Sequence, residues 1–285
     1  MVMLFQDWHS HNELCRHARG SIEDYVKTAI NKGLNLIGIS DHFPYECLEG
    51  IDAIPYEEYA MKLGELDLYL SSVENLKEKY QNTIEIKLAF ELDYIKPQVN
   101  AHKPYLEKYS EPLDYILGSV HILLKKGKMF AFDDNRFLND YKLYESINQI
   151  YIDYYDIMQN MISSSDFSFD IISHFDLPKK YNKQPEDAEI IADHVDKTLE
   201  LIQKKDLTIE INTSGWRKEV KEQYPSKKII KKMYELDIPI ILGSDAHKPD
   251  EVGYRFKEAL RLVQDVGYNQ LAYFDKRKRS FIEIS

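Results

Sequence analysis

The sequence lacks most of the features that mark secreted, membrane-spanning and disulfide-stabilised proteins. Its 285 residues include only two cysteines, Cys15 and Cys47, which cannot build a disulfide framework, and no CxxC pair suggests a cysteine-bound zinc. No apolar run approaches the roughly 18 to 20 residues that a membrane-spanning helix needs. The first residues, MVMLFQDWHSH, contain neither the basic segment nor the small-residue cleavage site of a signal peptide. We therefore expect a soluble cytoplasmic protein that has no membrane partner.

Excess positive charge and linker segments are also missing. The chain has 37 Lys and Arg against 48 Asp and Glu, a net charge of −11, which argues against nucleic acid as the main partner. An acidic protein that binds an anion needs a local positive centre, which bound metal ions can supply. Because no repeat, low-complexity segment or Pro/Gly-rich linker divides residues 1–285, we predict a single domain. The sequence leaves the oligomeric state open.

What the sequence does contain is a regular alternation of short apolar segments and longer amphipathic ones. The apolar segments are rich in Ile, Leu, Val and Phe, as expected for strands that are buried on both faces of a parallel sheet. The predicted strands are Met3–Asp7, Asn35–Ser40, Ile84–Phe90, Asp114–Gly118, Phe169–Ser173, Thr208–Ile211 and Ile238–Gly243. The predicted helices are Ile22–Lys32, Tyr56–Tyr80, Asp140–Ser163, Asp187–Lys204 and Ser226–Leu236. Longer loops are expected at residues 43–55 and 122–139, and a terminal strand at residues 277–285.

Most of the histidines stand at, or just past, the carboxyl end of a predicted strand, and so do two acidic residues. In a parallel barrel all of these ends open onto one face, whereas an open sheet would spread them too far apart to share a site. This distribution therefore favours an α/β barrel with one polar mouth. The side chains expected there are His9, His11, His17, His42, Glu91, His121, His174, Asp245 and His247.

Spacing within the motifs supports a metal site. The imidazoles of His9 and His11 lie two residues apart on a strand and point to the same side, and the pair Asp245 and His247 repeats that spacing. Imidazole together with carboxylate suits zinc, iron or manganese, and the absence of cysteine ligands disfavours a closed structural zinc site. A hydrolytic site of this kind keeps positions open for water and substrate. The two remaining histidines, His102 and His194, lie in helical stretches or away from strand ends and are expected at the surface.

These motifs resemble those of the PHP (polymerase and histidinol phosphatase) superfamily, and in particular its histidinol-phosphate phosphatases. The pairs HSH and SDAH are typical of the whole superfamily, whereas CRHA, ELDY, GSVH and NTSGxRK are more diagnostic of the phosphatase branch. The resemblance covers almost the whole chain, in order. It is carried by DWHSHNELCRHARGSIEDYV, LIGISDH, AFELDYI, ILGSVHIL, ISHFDL, EINTSGWRK and LGSDAHKPDEVGY.

The resemblance implies a distorted TIM-like (β/α)7 barrel that holds three divalent metal ions, of zinc, iron or manganese. It also implies hydrolysis of the phosphate monoester L-histidinol phosphate to L-histidinol and phosphate, by a metal-bridging hydroxide held beside Glu91 and Asp245. Carried over residue by residue, the first ion would be bound by His9, His11, Glu91 and Asp245, the second by Glu91, His121 and His174, and the third by His17, His42 and His247.

Contacts to the substrate are less evident. Arg217, in NTSGWRK, is a candidate for binding the phosphate because a guanidinium forms paired hydrogen bonds with it. Arg19, Asn212 and Ser214 are weaker candidates for substrate binding. A proton donor for the leaving group could be Asp41, Glu46, Cys15 or water, and the histidinol part could contact Asp93, Tyr94 or Tyr45.

Three other functions compete with this interpretation. The chain could hydrolyse another small phosphate monoester or a nucleotide with the same barrel and metals. It could be a metal-binding module without activity, although such a module would be expected to have lost a ligand. It could be an amidohydrolase-like barrel, but that class calls for a lysine at the end of a middle strand, and no predicted strand ends in one.

Overall fold

The computed structural model describes residues 5–47, 55–95, 101–166 and 168–284. Its central sheet contains seven parallel strands in the order β1-β2-β3-β4-β7-β8-β9, and all seven strand predictions are confirmed. The start of the first one, residues 3 and 4, lies outside the described residues. The strands are β1 Gln6–Asp7, β2 Leu36–Ile39, β3 Glu85–Asp93, β4 Tyr115–Ser119, β5 Ile122–Lys125, β6 Lys128–Ala131, β7 Ile171–Ile172, β8 Thr208–Asn212, β9 Ile240–Gly243, β10 Gln270–Asp275 and β11 Lys278–Glu283.

The sheet closes on itself because its first and last strands meet. The backbone N–H of Trp8 donates to Leu242 O at 3.0 Å, and Asp245 N donates to His9 O at 2.8 Å. A parallel bridge between Ser10 and Ala246 continues this contact beyond the strand ends. These bonds confirm the predicted barrel and bring the first and last histidine motifs side by side.

Helices cover the outside of the barrel. The first has the capping box that its sequence indicates, since Ser21 Oγ accepts from Asp24 N at 3.3 Å and the Asp24 carboxylate accepts from Ser21 N at 2.9 Å. Gly33 follows its end with a φ of +74°. None of the described helices is long and apolar enough to cross a membrane. The helices are α1 Ile22–Asn31, α2 Leu66–Tyr80, α3 Lys103–Tyr109, α4 Ile147–Ser163, α5 Ala188–Lys204, α6 Lys227–Glu235 and α7 Phe256–Val266.

Several predicted boundaries were wrong. The segment 56–80 is helical only from Leu66, after two short 3-10 turns, and the segment 140–163 is divided before α4, which starts after the N-cap Ser146. Helices α3 and α7 were not predicted. The loop expected at 122–139 contains the hairpin β5–β6, and the loop expected at 43–55 falls partly on residues 48–54, outside the described part of the chain.

The two histidines outside the strand ends differ from each other. His102 is buried, with its ring edge-on to Phe43 at a centroid distance of 5.6 Å, so the prediction that it is a surface residue was wrong. His194 is half-buried, and its Nδ1 lies 3.2 Å from Asp156. Neither histidine lines the mouth of the barrel.

The antiparallel hairpin β10–β11 lies at the opposite end of the barrel from the histidine motifs. It contacts the start of three barrel strands: Asp275 pairs with Lys87, Arg277 N donates to Asp114 O, and the Arg277 guanidinium pairs with Asp170. The hairpin also contributes apolar side chains to the barrel interior. Those interior side chains are Trp8, Leu36, Ala89, Tyr115, Leu117, Ile171, Ile241, Ala272 and Phe274.

Candidate metal centre

All nine predicted ligands meet at the carboxyl ends of the barrel strands, in three groups. In the first group, His9 Nε2 and His11 Nε2 lie 3.1 Å apart and 3.3 and 3.4 Å from Glu91 Oε2. Asp245 Oδ1 completes the group at 4.0 and 3.4 Å from the two nitrogens. Four tetrahedral ligands with metal bonds of about 2.0–2.2 Å are about 3.3–3.6 Å from each other. The donor atoms of this group therefore have the spacing that a single ion requires.

The second group shares Glu91 with the first. Its two imidazole nitrogens, His121 Nε2 and His174 Nε2, are 3.0 Å apart. The other carboxylate oxygen, Glu91 Oε1, lies 2.8 Å from His174 Nε2 and 3.6 Å from His121 Nε2. Because Oε2 faces the first group and Oε1 the second, the carboxylate has the orientation of a bridging ligand.

The third group consists of imidazoles alone. His17 Nε2 and His247 Nε2 lie 3.0 Å apart, and the His42 ring centroid is 5.3 Å from that of His17. The ring of His11 stacks on both His42 and His247, at 4.5 and 4.2 Å, so this group directly adjoins the first. The first two groups correspond to ligand sets that the family resemblance implies, whereas His42 of the third set also borders Glu91, with its Nδ1 3.3 Å from Glu91 Oε2. The binding of an ion by each set stays a prediction.

Buried carboxylates orient several of the imidazoles. Nδ1 of His9 lies 2.8 Å from Glu210 Oε1, and Nδ1 of His121 lies 2.7 Å from Asp93 Oδ1. Asp41 plays the same part for His11, at 3.2 Å. A proton donated from Nδ1 fixes the tautomer and leaves the Nε2 lone pair directed at the centre of the site, as is usual for metal-binding histidines.

Glu210 was missed in the sequence, although a glutamate inside the apolar strand TIEIN is unusual. It is completely buried in β8, and its second oxygen accepts from His174 N at 2.8 Å and Asn212 Nδ2 at 3.0 Å. A Cβ atom on Gly243 would lie 1.8 Å from Glu210 Oε1. The neighbouring strand therefore needs glycine at this position to make room for the carboxylate.

The centre places several carboxylates, most of them buried, beside its imidazoles. Burial alone would raise the pKa of Glu91, but the imidazoles of His42 and His9 hold that pKa well below its usual value. Burial likewise acts against ionisation of Asp245, and the imidazoles of His9 and His11 lower its pKa well below the usual range. Three divalent ions would add about six positive charges, enough to offset both these carboxylates and the three that orient histidines. The donor set therefore fits a cluster of divalent cations.

A cavity of about 400 Å³ opens beside these groups. Its volume is in the range of small-molecule sites. One wall carries Tyr45 and Tyr59, whose rings are stacked at 6.4 Å, and another carries lysines. The lining residues outside the metal centre include Tyr45, Tyr59, Asp133, Asp134, Arg136, Lys180, Tyr181, Ser214, Lys218 and Tyr224.

The predicted substrate contacts occupy different places around this cavity. Ser214 lines it, and its Oγ donates to Asp245 Oδ2 at 3.1 Å. Asn212 is buried below Ser214, while Arg19 is exposed and outside the lining. The Arg217 guanidinium donates to Ser244 O and Asp245 O, at 2.9 and 3.0 Å, and is not among the lining residues. A role in substrate binding remains a prediction for all four residues.

None of the side chains considered as leaving-group acids lines the cavity. Asp41 is buried behind His11, and Glu46 accepts a hydrogen bond from Leu63 N at 2.7 Å. Burial raises the pKa of the Cys15 thiol to about 11, so this side chain stays protonated and inert. Of the residues considered for the histidinol part, Tyr45 lines the cavity, whereas Asp93 orients His121.

Comparison with known proteins agrees with this geometry. A sequence model of the PHP domain matches residues 7–214. A Deinococcus radiodurans protein named "Probable histidinol-phosphatase" is 33% identical over 92% of this chain and 93% of its own length. The "Histidinol-phosphatase" of Bacillus subtilis is 27% identical over 90% and 98%.

A solved structure shares the fold. It is the histidinol phosphate phosphatase HisK of Lactococcus lactis, crystallised with zinc, L-histidinol and phosphate. The match has a TM-score of 0.75 at 19% identity and covers 98% of this chain and 100% of that protein. Together, the match of the PHP domain model and the similarity to the Deinococcus protein over most of both chains lead to one conclusion: this chain belongs to the PHP domain family.

Proposed function

We propose that this chain hydrolyses L-histidinol phosphate to L-histidinol and phosphate. The observation that carries the proposal is the meeting of imidazole and carboxylate donor atoms, many of them 2.8–3.6 Å apart, beside a cavity of small-molecule size. The names of the Deinococcus and Bacillus relatives, which match over nine-tenths of this chain, support histidinol phosphate as the substrate.

The nine donor residues would hold three divalent ions, of zinc, iron or manganese, in the sets described above. When bound, such ions lower the pKa of a water molecule towards neutrality and offset charge on a phosphate group. The chain's own residues hold this arrangement in place. Glu91 joins two of the sets, Ser214 fixes the Asp245 carboxylate, and the buried carboxylates of Asp93 and Glu210 orient imidazoles.

The walls of the cavity suit the rest of the substrate. Histidinol carries an imidazole ring and an ammonium group. The stacked rings of Tyr45 and Tyr59 offer an aromatic wall for the imidazole ring. Asp133 and Asp134 also line the cavity, where they pair with Lys180 and Arg136. The aromatic wall therefore favours a phosphate monoester of an aromatic alcohol over one of a simple alkyl alcohol.

Steady-state kinetics on a panel of phosphate monoesters tests the proposal. The panel consists of histidinol phosphate, p-nitrophenyl phosphate, glycerol phosphate and a nucleoside monophosphate, with the purified chain supplied with zinc or manganese. We expect the highest kcat/KM for histidinol phosphate, although p-nitrophenyl phosphate has the better leaving group. An equal or higher kcat/KM for any other member of the panel would contradict the substrate assignment and favour a phosphatase of different specificity.

A further inference from the structure

The hairpin at the amino end of the barrel has one strand with an open edge. Among the described strands, β11 pairs with β10 alone, so its other side faces no strand. An edge of this kind offers a row of backbone N–H and C=O groups to another strand. The edge of β11 is therefore a candidate surface for association with another chain.

The turn of the hairpin determines which backbone groups of β11 face the open edge. Lys276 and Arg277 form a two-residue turn with φ values of +47° and +61°. Beyond such a turn, every second pair of opposite residues exchanges hydrogen bonds. The bond from Ile284 N to Asn269 O, at 2.8 Å, belongs to this series, so the even-numbered residues of β11 bond to β10. The residues whose N–H and C=O groups point outward are Arg279, Phe281 and Glu283.

The outward-facing side of β11 is accessible. No hydrogen bond within the described residues uses the outward N–H and C=O groups. Phe281 is 47% exposed, and Ser280 and Glu283 are exposed on either side of it. Glu283 forms no ion pair within the part of the chain that the structure describes, and Arg279 pairs with Asp206, which is itself 80% exposed. The edge therefore combines unpaired backbone groups, an apolar ring and charges of both signs.

The order of the side chains makes this edge complementary to itself. Two copies of β11 that run antiparallel, with Phe281 opposite Phe281, bring Arg279 of each chain opposite Glu283 of the other. In the same register the outward backbone groups meet, so each opposed pair exchanges both of its hydrogen bonds. Opposite charges that face each other across two strands stabilise the pairing, and like charges destabilise it. A shift of four residues in either direction would place Arg279 or Glu283 opposite its own copy.

We propose that β11 pairs with β11 of a second copy of this chain, forming a two-fold symmetric dimer with the strand order β10-β11-β11-β10. Contacts between identical surfaces are the commonest way in which homo-oligomers form. Charges on an edge strand usually prevent association, but a reversed copy meets Arg279 and Glu283 with charges of the opposite sign. One strand pair is a small contact, so the dimer is reversible and depends on concentration. The cavity of the metal centre lies at the other end of the barrel and stays open.

Sedimentation velocity of the full chain over a range of concentrations tests the dimer. The average mass should rise from that of one chain towards twice that value. Glu283→Arg brings like charges together at both symmetric positions and should raise the dissociation constant by roughly 10-fold. Phe281→Pro should abolish the dimer, because proline removes an outward N–H, and with it pairing at the edge, without removing a bond to β10.

A charge exchange separates loss of this contact from a general loss of stability. Arg279→Glu should weaken self-association as Glu283→Arg does, because its edge then carries two acidic side chains opposite each other. An equimolar mixture of these two variants has opposite charges at both positions again. The mixture should therefore form a dimer with nearly the affinity of the wild type, an outcome that damage to either variant would not produce.

The matched control is Glu145→Arg, the same charge reversal at an exposed glutamate just before α4. It should dimerise as the wild type does, and circular dichroism should show that each variant is folded. A wild type that stays monomeric at every concentration would overturn the proposal. So would a dimer that Glu283→Arg leaves intact, or a mixture of the two charge variants that associates no better than either alone. These charge variants decide the matter if Phe281→Pro does not fold.

Discussion

Both ends of the barrel bury charged side chains, but only one end pairs them with permanently charged side chains of opposite sign. At the amino end, Lys87 Nζ lies 2.9 Å from Asp275 Oδ1, 2.9 Å from Glu85 Oε1 and 3.8 Å from Asp114 Oδ1. At the carboxyl end, Glu91 and Asp245 are not paired with lysine or arginine; their neighbours are imidazoles and the hydroxyls of Ser119 and Ser214. A buried charge is stable when a partner compensates for its lost hydration. The amino end is therefore complete as folded, whereas the carboxyl end gains stability from added cations.

The difference between the two ends separates residues that serve the fold from residues that serve the reaction. Charged side chains that stabilise the fold form ion pairs, as Lys87 does with Asp275 of the β10–β11 hairpin. Carboxylates of a metal centre, in contrast, lie close to one another and to imidazoles, beside a cavity. Four experiments test this contrast.

The largest effect is expected from Asp245→Ala or His9→Ala. Each substitution removes a donor atom from the first group, so turnover of histidinol phosphate should fall below detection and the metal content per chain should decrease. Phosphate release and elemental analysis measure the two outcomes. The matched change at the amino end, Asp275→Ala, should leave both unchanged. Near-native activity in Asp245→Ala or His9→Ala would show that the proposed coordination is wrong.

Removal of metal should destabilise the folded chain. Cations present at 100 times their dissociation constant stabilise a protein by about 2.7 kcal/mol. For a chain of this size, that corresponds to a fall in Tm of roughly 4–5 °C on addition of a chelator. Differential scanning calorimetry with and without EDTA measures it. The chelator should cause an equal fall in Lys87→Met, because that charge lies at the other end of the barrel; a Tm that EDTA leaves unchanged in the wild type would contradict the prediction.

A smaller effect is expected from Glu210→Gln. The amide keeps the size of the side chain but gives His9 Nδ1 a weaker acceptor than a carboxylate. Loss of such an orienting partner weakens metal binding by roughly 10- to 100-fold. Competition with a chelating dye measures the affinity. The partly exposed Glu222, which pairs with Lys179, provides a control, since Glu222→Gln lies outside the cavity lining and should retain wild-type affinity.

The smallest effect is expected from Lys87→Met. Its partners Asp275 and Glu85 are 59% and 43% exposed and can be hydrated when the ammonium is lost. The free energy of unfolding should therefore fall by only about 1–2 kcal/mol, less than for a fully buried pair. Urea denaturation measures the loss, and kcat/KM should not change. A decrease in metal content would show that the two ends are not independent.

Local sequence predicted the parts of the molecule that depend on local pattern. Seven apolar segments with polar residues at their ends were enough to predict the strands, the barrel and the meeting of nine side chains at its mouth. Contacts between distant segments were not predictable in this way. The buried ring of His102 packs against Phe43. The Glu210 carboxylate can reach His9 because Gly243, thirty-three residues later, has no side chain.

The groups around the substrate cavity illustrate the same limit. The chemistry of Arg217 and its position after a strand predict a phosphate ligand. Its guanidinium instead contacts the backbone of residues 244 and 245, and it is the adjacent Lys218 that lines the cavity. Which of two neighbouring side chains enters a cavity is decided by the turn of the loop. That turn depends on the pairing of Tyr224 with Asn212, a contact that no local pattern in the sequence indicates.

The position of Glu91 between two groups of donor atoms affects the order and strength with which metal ions bind. Its two oxygens belong to different groups of donor atoms, so the first cation to arrive offsets part of the charge that would attract the second, and at the same time fixes the carboxylate for it. Occupancy of the two positions is therefore thermodynamically linked, and each affects the affinity of the other by the same factor. A titration of the apoprotein with metal should accordingly not follow a set of independent, identical sites.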